Sequence, residues 1–116
     1  MLGYAYKNKE SYDESIACFT RAIALDPEYA EAYLNRGLVY ALAGGYDQIL
    51  TDLNKAIDIG LPNPNMTAFA HFLRGVLYAD MGEREKAVSD LEKALELGLE
   101  PSLEQNAQAL LEELAQ

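Results

Sequence analysis

The residues able to do acid–base, nucleophilic or metal chemistry are few and badly matched. His71 is the single histidine and Cys18 the single cysteine. One imidazole without a second histidine or thiolate cannot close a zinc site, and no nucleophile or base can be paired with it by spacing. Cys18 has no partner for an intramolecular disulfide, which suits a reducing compartment; the ordinary role of such a thiol is buried or half-buried packing. The carboxylates Asp47, Asp52, Asp58, Asp90, Glu92 and Glu96 recur at helical spacing, where they read as outward, solvated positions. No glycine-rich run forms a phosphate cradle. The sequence therefore assigns no catalytic, cofactor-binding or metal-ligating residue and does not read as an enzyme.

Composition narrows the partners. The chain has 116 residues, half of them apolar, enough for one domain with one elongated core. Nineteen acidic residues against nine basic ones give a formal charge of -10, which repels phosphate backbones and argues against nucleic acid. No apolar run approaches the roughly 20 residues of a membrane span, and Met1 to Glu10 lacks the apolar centre of a signal peptide. A soluble, cytoplasmic protein without membrane insertion is expected.

The elements that would position any site follow from periodicity. Leu2, Gly3 and Tyr6 stand 34 residues before Arg36, Gly37 and Tyr40, and Arg74, Gly75 and Tyr78 stand 38 residues after them. A period of this size marks a stacked helical array. The spacing predicts seven helices. The first is the second half of a helix over Met1 to about Asn8. Tyr12 to Leu25 follows, with Ile16, Phe19, Ala22 and Ile23 on one face. A third helix runs from Pro27 to about Ala43, capped by Asp26 and ended by Gly44-Gly45. Tyr46 to Ile59 repeats the stripe as Leu50, Leu53, Ala56 and Ile57. The next is capped by Asn63 or Asn65 and reaches about Met81, closed by Gly82. Arg84 to Leu97 turns Ala87, Val88, Leu91, Ala94 and Leu95 inward and Glu85, Lys86, Asp90, Glu92 and Lys93 outward. The last helix opens on a capping box, Ser102 with Gln105, and carries Leu103, Ala107, Leu110, Leu111 and Leu114. Gly60-Leu61 and Gly98-Leu99 read as Schellman ends.

Aromatic-x-x-Arg-Gly-x-x-Tyr, helices with apolar residues four apart, and a closing Asp-Pro together resemble the tetratricopeptide repeat family. The motif residues are Gly3, Tyr6, Phe19, Ala22 and Pro27; then Tyr33, Gly37, Tyr40, Leu53 and Ala56; then His71, Gly75, Tyr78, Ala87, Leu91 and Ala94. Ser15, Ile49, His71, Leu61 and Leu99 depart from the family pattern without removing a helix. The resemblance implies an all-α fold, a right-handed α-solenoid of stacked antiparallel helix pairs. It implies a single domain over 1–116: a truncated repeat at 1–29, repeats at 30–63 and 68–101, and a capping helix at 102–115. His71 falls where the family packs an aromatic ring, so a core or half-buried role is expected. A side chain at Gly37 or Gly75 would push paired helices apart.

The family's concave surface is lined by the first helix of each pair. Carried over by position, that groove comprises Tyr4, Asn8, Glu31, Leu34, Asn35, Leu38, Leu42, Phe69, Phe72, Leu73, Val76 and Asp80. Family members that clamp a terminal carboxylate use lysine, arginine and asparagine in the groove; here only Asn35 matches, because Tyr4, Phe69 and Leu73 occupy the other places. An apolar groove with acidic rims instead suits an apolar or amphipathic peptide or helix of a partner protein. The expected function is a non-catalytic protein–protein interaction scaffold. The alternative is a homo-oligomerisation or assembly module, a homodimer through the truncated first repeat or the groove.

Overall fold

Six α-helices and no strand are found in the computed structural model, which describes residues 9–116. They are α1 (Lys9–Leu25), α2 (Ala30–Ala43), α3 (Tyr46–Ile59), α4 (Pro64–Asp80), α5 (Arg84–Leu97) and α6 (Pro101–Leu114). The helix expected over Met1 to Asn8 lies outside the described residues. The chain divides between Gly60 and Leu61 into two compact units.

Helix ends follow local chemistry, with some departures from expectation. Asp26 and Pro27 make a turn rather than the first turn of α2: the Asp26 carboxylate accepts the Glu28 amide at 3.1 Å and the Asp26 carbonyl accepts that of Tyr29 at 3.0 Å. The helix begins only at Ala30. Asn63, and not Asn65, caps α4: its side chain accepts the Met66 amide at 2.9 Å, and Pro64 holds the first position, where no amide is needed. The capping box at Ser102 does not form. Pro101 starts α6 one residue earlier, Glu100 takes the cap position without a side-chain bond, and Ser102 falls inside the first turn.

The Schellman ends also lie elsewhere. Gly82 has φ +81°; the Glu83 amide reaches back to the Tyr78 carbonyl at 2.8 Å and the Gly82 amide to that of Ala79 at 3.1 Å. Those two bonds define the motif. At the end of α2, Gly44 is left-handed and the Gly45 amide bonds the Tyr40 carbonyl at 2.8 Å. Gly60 and Gly98 have positive φ but ψ of 122° and 110°, which sends the chain onward extended instead of folding it back.

In the first unit α2 packs on both α1 and α3. Ala30, Ala32, Tyr33, Leu34, Ile49, Leu53 and Ala56 are buried, while Ile16, Phe19, Ala22 and Ile23 of α1 are half-buried. In the second unit α5 packs on both α4 and α6. Its core cluster is Phe72, Leu91, Ala94 and Ala107, braced by Phe69, Leu73, Val76, Leu95, Leu99, Leu103, Leu110, Leu111 and Leu114. Leu53 and Leu91 are wholly enclosed, and each such burial contributes about 1.5–3 kcal/mol. The small residues expected on the inner face of α5, Ala87 and Ala94, are fully buried.

Glycine has different work in the two pairs. A Cβ on Gly75 would lie 2.9 Å from Leu91 Cγ and 3.3 Å from the Ala87 carbonyl oxygen. A Cβ on Gly37 would meet Asp52 Cβ at 3.4 Å, an ordinary contact, so the expectation that any side chain there forces the helices apart holds at Gly75 and not for a methyl at Gly37. We predict that Gly75→Ala costs about 1–3 kcal/mol by overpacking. Gly37→Ala should stay within about 1 kcal/mol of the parent, because better helix propensity offsets the tighter fit. Urea unfolding checks this; equal loss from both substitutions would contradict it.

Candidate functional site

Two of the carboxylates expected to face solvent are the most deeply placed charges among the described residues: Asp52 is 2% and Asp90 5% exposed. Each is held by an arginine sixteen residues earlier, on the preceding helix. Arg36 Nε donates to Asp52 Oδ2 at 2.9 Å and Nη2 to Oδ1 at 2.7 Å. Arg74 repeats the fork on Asp90, with Nε–Oδ2 and Nη2–Oδ1 both 2.8 Å. A planar guanidinium satisfies both carboxylate oxygens at once, which makes such burial tolerable. No described buried side-chain nitrogen or oxygen lacks a partner.

Aromatic rings enclose the forks. The Arg36 guanidinium carbon lies 5.7 Å from the Tyr33 ring centre and 6.0 Å from that of Tyr40, and its Nη1 donates to Thr20 Oγ1 of α1 at 3.1 Å. Arg74 lies 5.9 Å from the Tyr78 ring, and Lys86 Nζ 5.5 Å from the same ring. The hydrogen bond to Asp52 raises the Arg36 pKa above its ordinary value; desolvation opposes this, and the charge of Asp52 adds to the rise. The motif Arg-Gly-x-x-Tyr is thus one half of a structural ion pair, and its other half sits on the next helix.

His71 is half-buried, as expected, and has a role the sequence did not disclose. Its Nδ1 is 3.0 Å from Asp90 Oδ1. With Arg74 and His71 both on Asp90, this carboxylate is fully engaged and serves packing. At the corresponding place in the first unit, Tyr33 turns its hydroxyl away to donate to the Pro27 carbonyl at 3.2 Å. Among the described residues no group of histidine, cysteine, aspartate and glutamate could hold a metal ion. Cys18 is exposed, not buried as its type suggests.

The expected binding residues separate by depth. Tyr4 and Asn8 lie outside the described residues. On α2, Asn35 is exposed, Leu42 is 65% exposed, and Glu31 and Leu38 are half-buried. On α4, Asp80 is exposed and Phe69, Leu73 and Val76 are half-buried. Leu34 and Phe72 differ: they are 3% and 8% exposed and belong to the interior. For Phe72 the reason is visible, since α6 contributes Ala107 to its cluster and closes the sector of α4 that a rotation from His71 would leave open. Beside Phe69 the surface dips into a pocket of about 530 Å³ lined by Asn65, Phe69, Gly98, Leu99, Glu100 and Leu103. Leu99 and Leu103 had read only as packing residues, and Glu100 carried no signal at all.

Comparison with known proteins agrees with this architecture. A family model described as tetratricopeptide repeat matches residues 28–100, and another described as TPR repeat matches residues 3–44. The Hsp70-Hsp90 organizing protein of Triticum aestivum is 34% identical over 58 residues, 50% of this chain and 10% of the relative. The UDP-N-acetylglucosamine–peptide N-acetylglucosaminyltransferase of Giardia intestinalis is 31% identical over 72 residues, 62% of this chain and 5% of the relative. The chain therefore spans only a small part of either. The crystal structure of the Yersinia enterocolitica type III secretion chaperone SycD, in complex with a peptide of the translocator YopD, superposes with a TM-score of 0.77 at 21% identity. That match covers 97% of this chain and 88% of SycD.

Removing one side of a buried fork strands the other. We predict that Asp52→Ala or Arg36→Ala costs about 3–5 kcal/mol, and that the double replacement Arg36→Met with Asp52→Leu, where no histidine shares the carboxylate, recovers most of it. Chemical denaturation of the three variants decides the matter; single and double variants of equal stability would show that the fork is not what binds the helices.

Proposed function

The chain belongs to the tetratricopeptide repeat family, and we propose that it is a non-catalytic interaction module that holds an apolar or amphipathic segment of another protein. The observation that carries this reading is the outer face of α2, where Leu42 is 65% exposed and stands one turn from half-buried Leu38 and two from exposed Asn35. Leu42 with half-buried Leu38 one turn away makes an apolar strip, and such a strip gains from being covered. Phe69, Leu73 and Val76 offer a shallower apolar face on α4. Further support comes from the similarity in fold to SycD, a chaperone crystallised with a peptide of its partner.

The negative charge of the chain selects among segments: basic flanks are attracted and acidic ones repelled. Asp52 and Asp90, each held by an arginine of the preceding helix, are read as structural carboxylates. A cytoplasmic location belongs to this proposal, supported by the lone thiol, which suits a reducing compartment; no helix among the described residues is long and apolar enough to cross a membrane. A second reading, self-association, draws on Leu25 and Tyr29, which are 88% and 44% exposed at the α1–α2 turn. Sedimentation at rising concentration separates it from the first.

The test begins with affinity capture of a partner from source lysate, followed by titration of the purified pair. Leu42→Glu together with Leu38→Glu should weaken binding by at least about tenfold, some 1.4 kcal/mol, with helicity nearly unchanged. Phe72→Glu should instead unfold the second unit, because a carboxylate would be buried there without a partner. Undiminished binding by the α2 variant would refute the assignment of this face.

A further inference from the structure

We infer that the pocket at the head of α4 receives an apolar side chain of the partner whose neighbour in sequence or on its helix is lysine or arginine. This rests on the reading of the chain as a peptide-binding module and adds where and by what chemistry one anchor is held. The walls are Phe69, Leu99 and Leu103, each half-buried and braced against the core cluster of the second unit. They are preformed, so a ligand group entering between them does not have to order them first. At about 530 Å³ the space exceeds what one leucine needs and admits an aromatic ring or two adjacent aliphatic side chains.

The polar lining decides the neighbour. Only Asn65 and Glu100 contribute polar side chains to the pocket, and both are exposed. Glu100 occupies the cap position of α6 yet makes no side-chain cap bond, so its carboxylate is not consumed by the helix it precedes. The surrounding unit has ten aspartates and glutamates against four lysines and arginines from Leu61 to Gln116. Of these four, Arg74 is committed to Asp90 and Lys93 lies 3.7 Å from Glu96. An apolar anchor beside a cation therefore meets both complementary surface and complementary charge.

A second copy of this chain fits less well. Among the described residues its most exposed large apolar side chain, Leu25, is followed directly by Asp26, which would bring a carboxylate against Glu100.

Two labelled amphipathic peptides with the same leucine face, one with lysine and one with glutamate on the polar face, test the inference by fluorescence anisotropy and amide chemical-shift mapping. The leucine–lysine peptide should bind and shift Phe69, Leu99 and Leu103; the leucine–glutamate peptide should not. Asn65→Trp, an exposed position whose new ring fills the pocket, should reduce affinity at least about tenfold. Glu100→Lys should reverse the preference between the peptides. Circular dichroism confirms that both variants keep their helices. Binding that maps to Leu38 and Leu42 and ignores both substitutions overturns the pocket while leaving the binding function intact. Absence of binding by either peptide overturns the pocket assignment, and the partner titration with the α2 variant then judges the function independently. Concentration-dependent shifts of the pocket residues without peptide would show a second copy as occupant and overturn it as well.

Discussion

The bidentate fork between an arginine on one helix and an aspartate on the next is the constraint on which each helix pair depends. Apolar packing alone is non-directional, and a helix sliding past its neighbour could exchange one leucine contact for another. The fork admits one register. A slip of one turn, about 5.4 Å, would leave Asp52 or Asp90 buried without its cation. In the second pair the adjacent glycine, Gly75, keeps the paired backbones close. Tyr33 and Tyr40 beside Arg36, and Tyr78 beside Arg74, flank a bond that would be weaker in bulk water.

The two pairs solve the same problem with different tightness. In the second, Leu91 presses against Gly75 and His71 joins Arg74 on the carboxylate. In the first, Gly37 has room for a methyl group, and the donor at the place of His71 is a tyrosine that bonds a turn carbonyl instead. Arg36 also donates to Thr20 on α1, which ties the first pair to the helix before it through a polar contact.

Much of the fold was legible because its signals are local or periodic. The Arg-Gly-x-x-Tyr repeats, the alanine and leucine stripes of α3 and α5, and the glycines closing α2 and α4 each act within one or two turns. What escaped notice was long in range or balanced between close alternatives. Asp52 and Asp90 look like any outward carboxylate until the arginine sixteen residues earlier is brought beside them. Phe72 stands one position past His71, yet it joins a cluster with Leu91 and Ala94 of α5 and Ala107 of α6 that buries it. Ser102 and Glu100 compete for one cap, and Pro101 settles the helix start between them. The candidate surface was legible to a similar degree: position along α2 and α4 identified Leu42, Asn35 and Phe69 as outward or half-buried, but the hollow beside Phe69 is completed by Leu99 and Glu100 from a turn that no repeat pattern marks.

The fork also shapes how such a repeat can drift. Two residues sixteen apart must be inherited together, since losing either strands an ion while losing both can be nearly neutral. A mutational walk by single steps therefore crosses a valley between the charged pairing and an apolar one. Cys18 and Leu2 stand 34 residues before Asp52 and Arg36, so the opening repeat already has neither charge. In the sequence, then, this chain contains both banks of that valley: two repeats joined by a pair that cannot be changed one member at a time without stranding an ion, and one with Leu2 and Cys18 at those places.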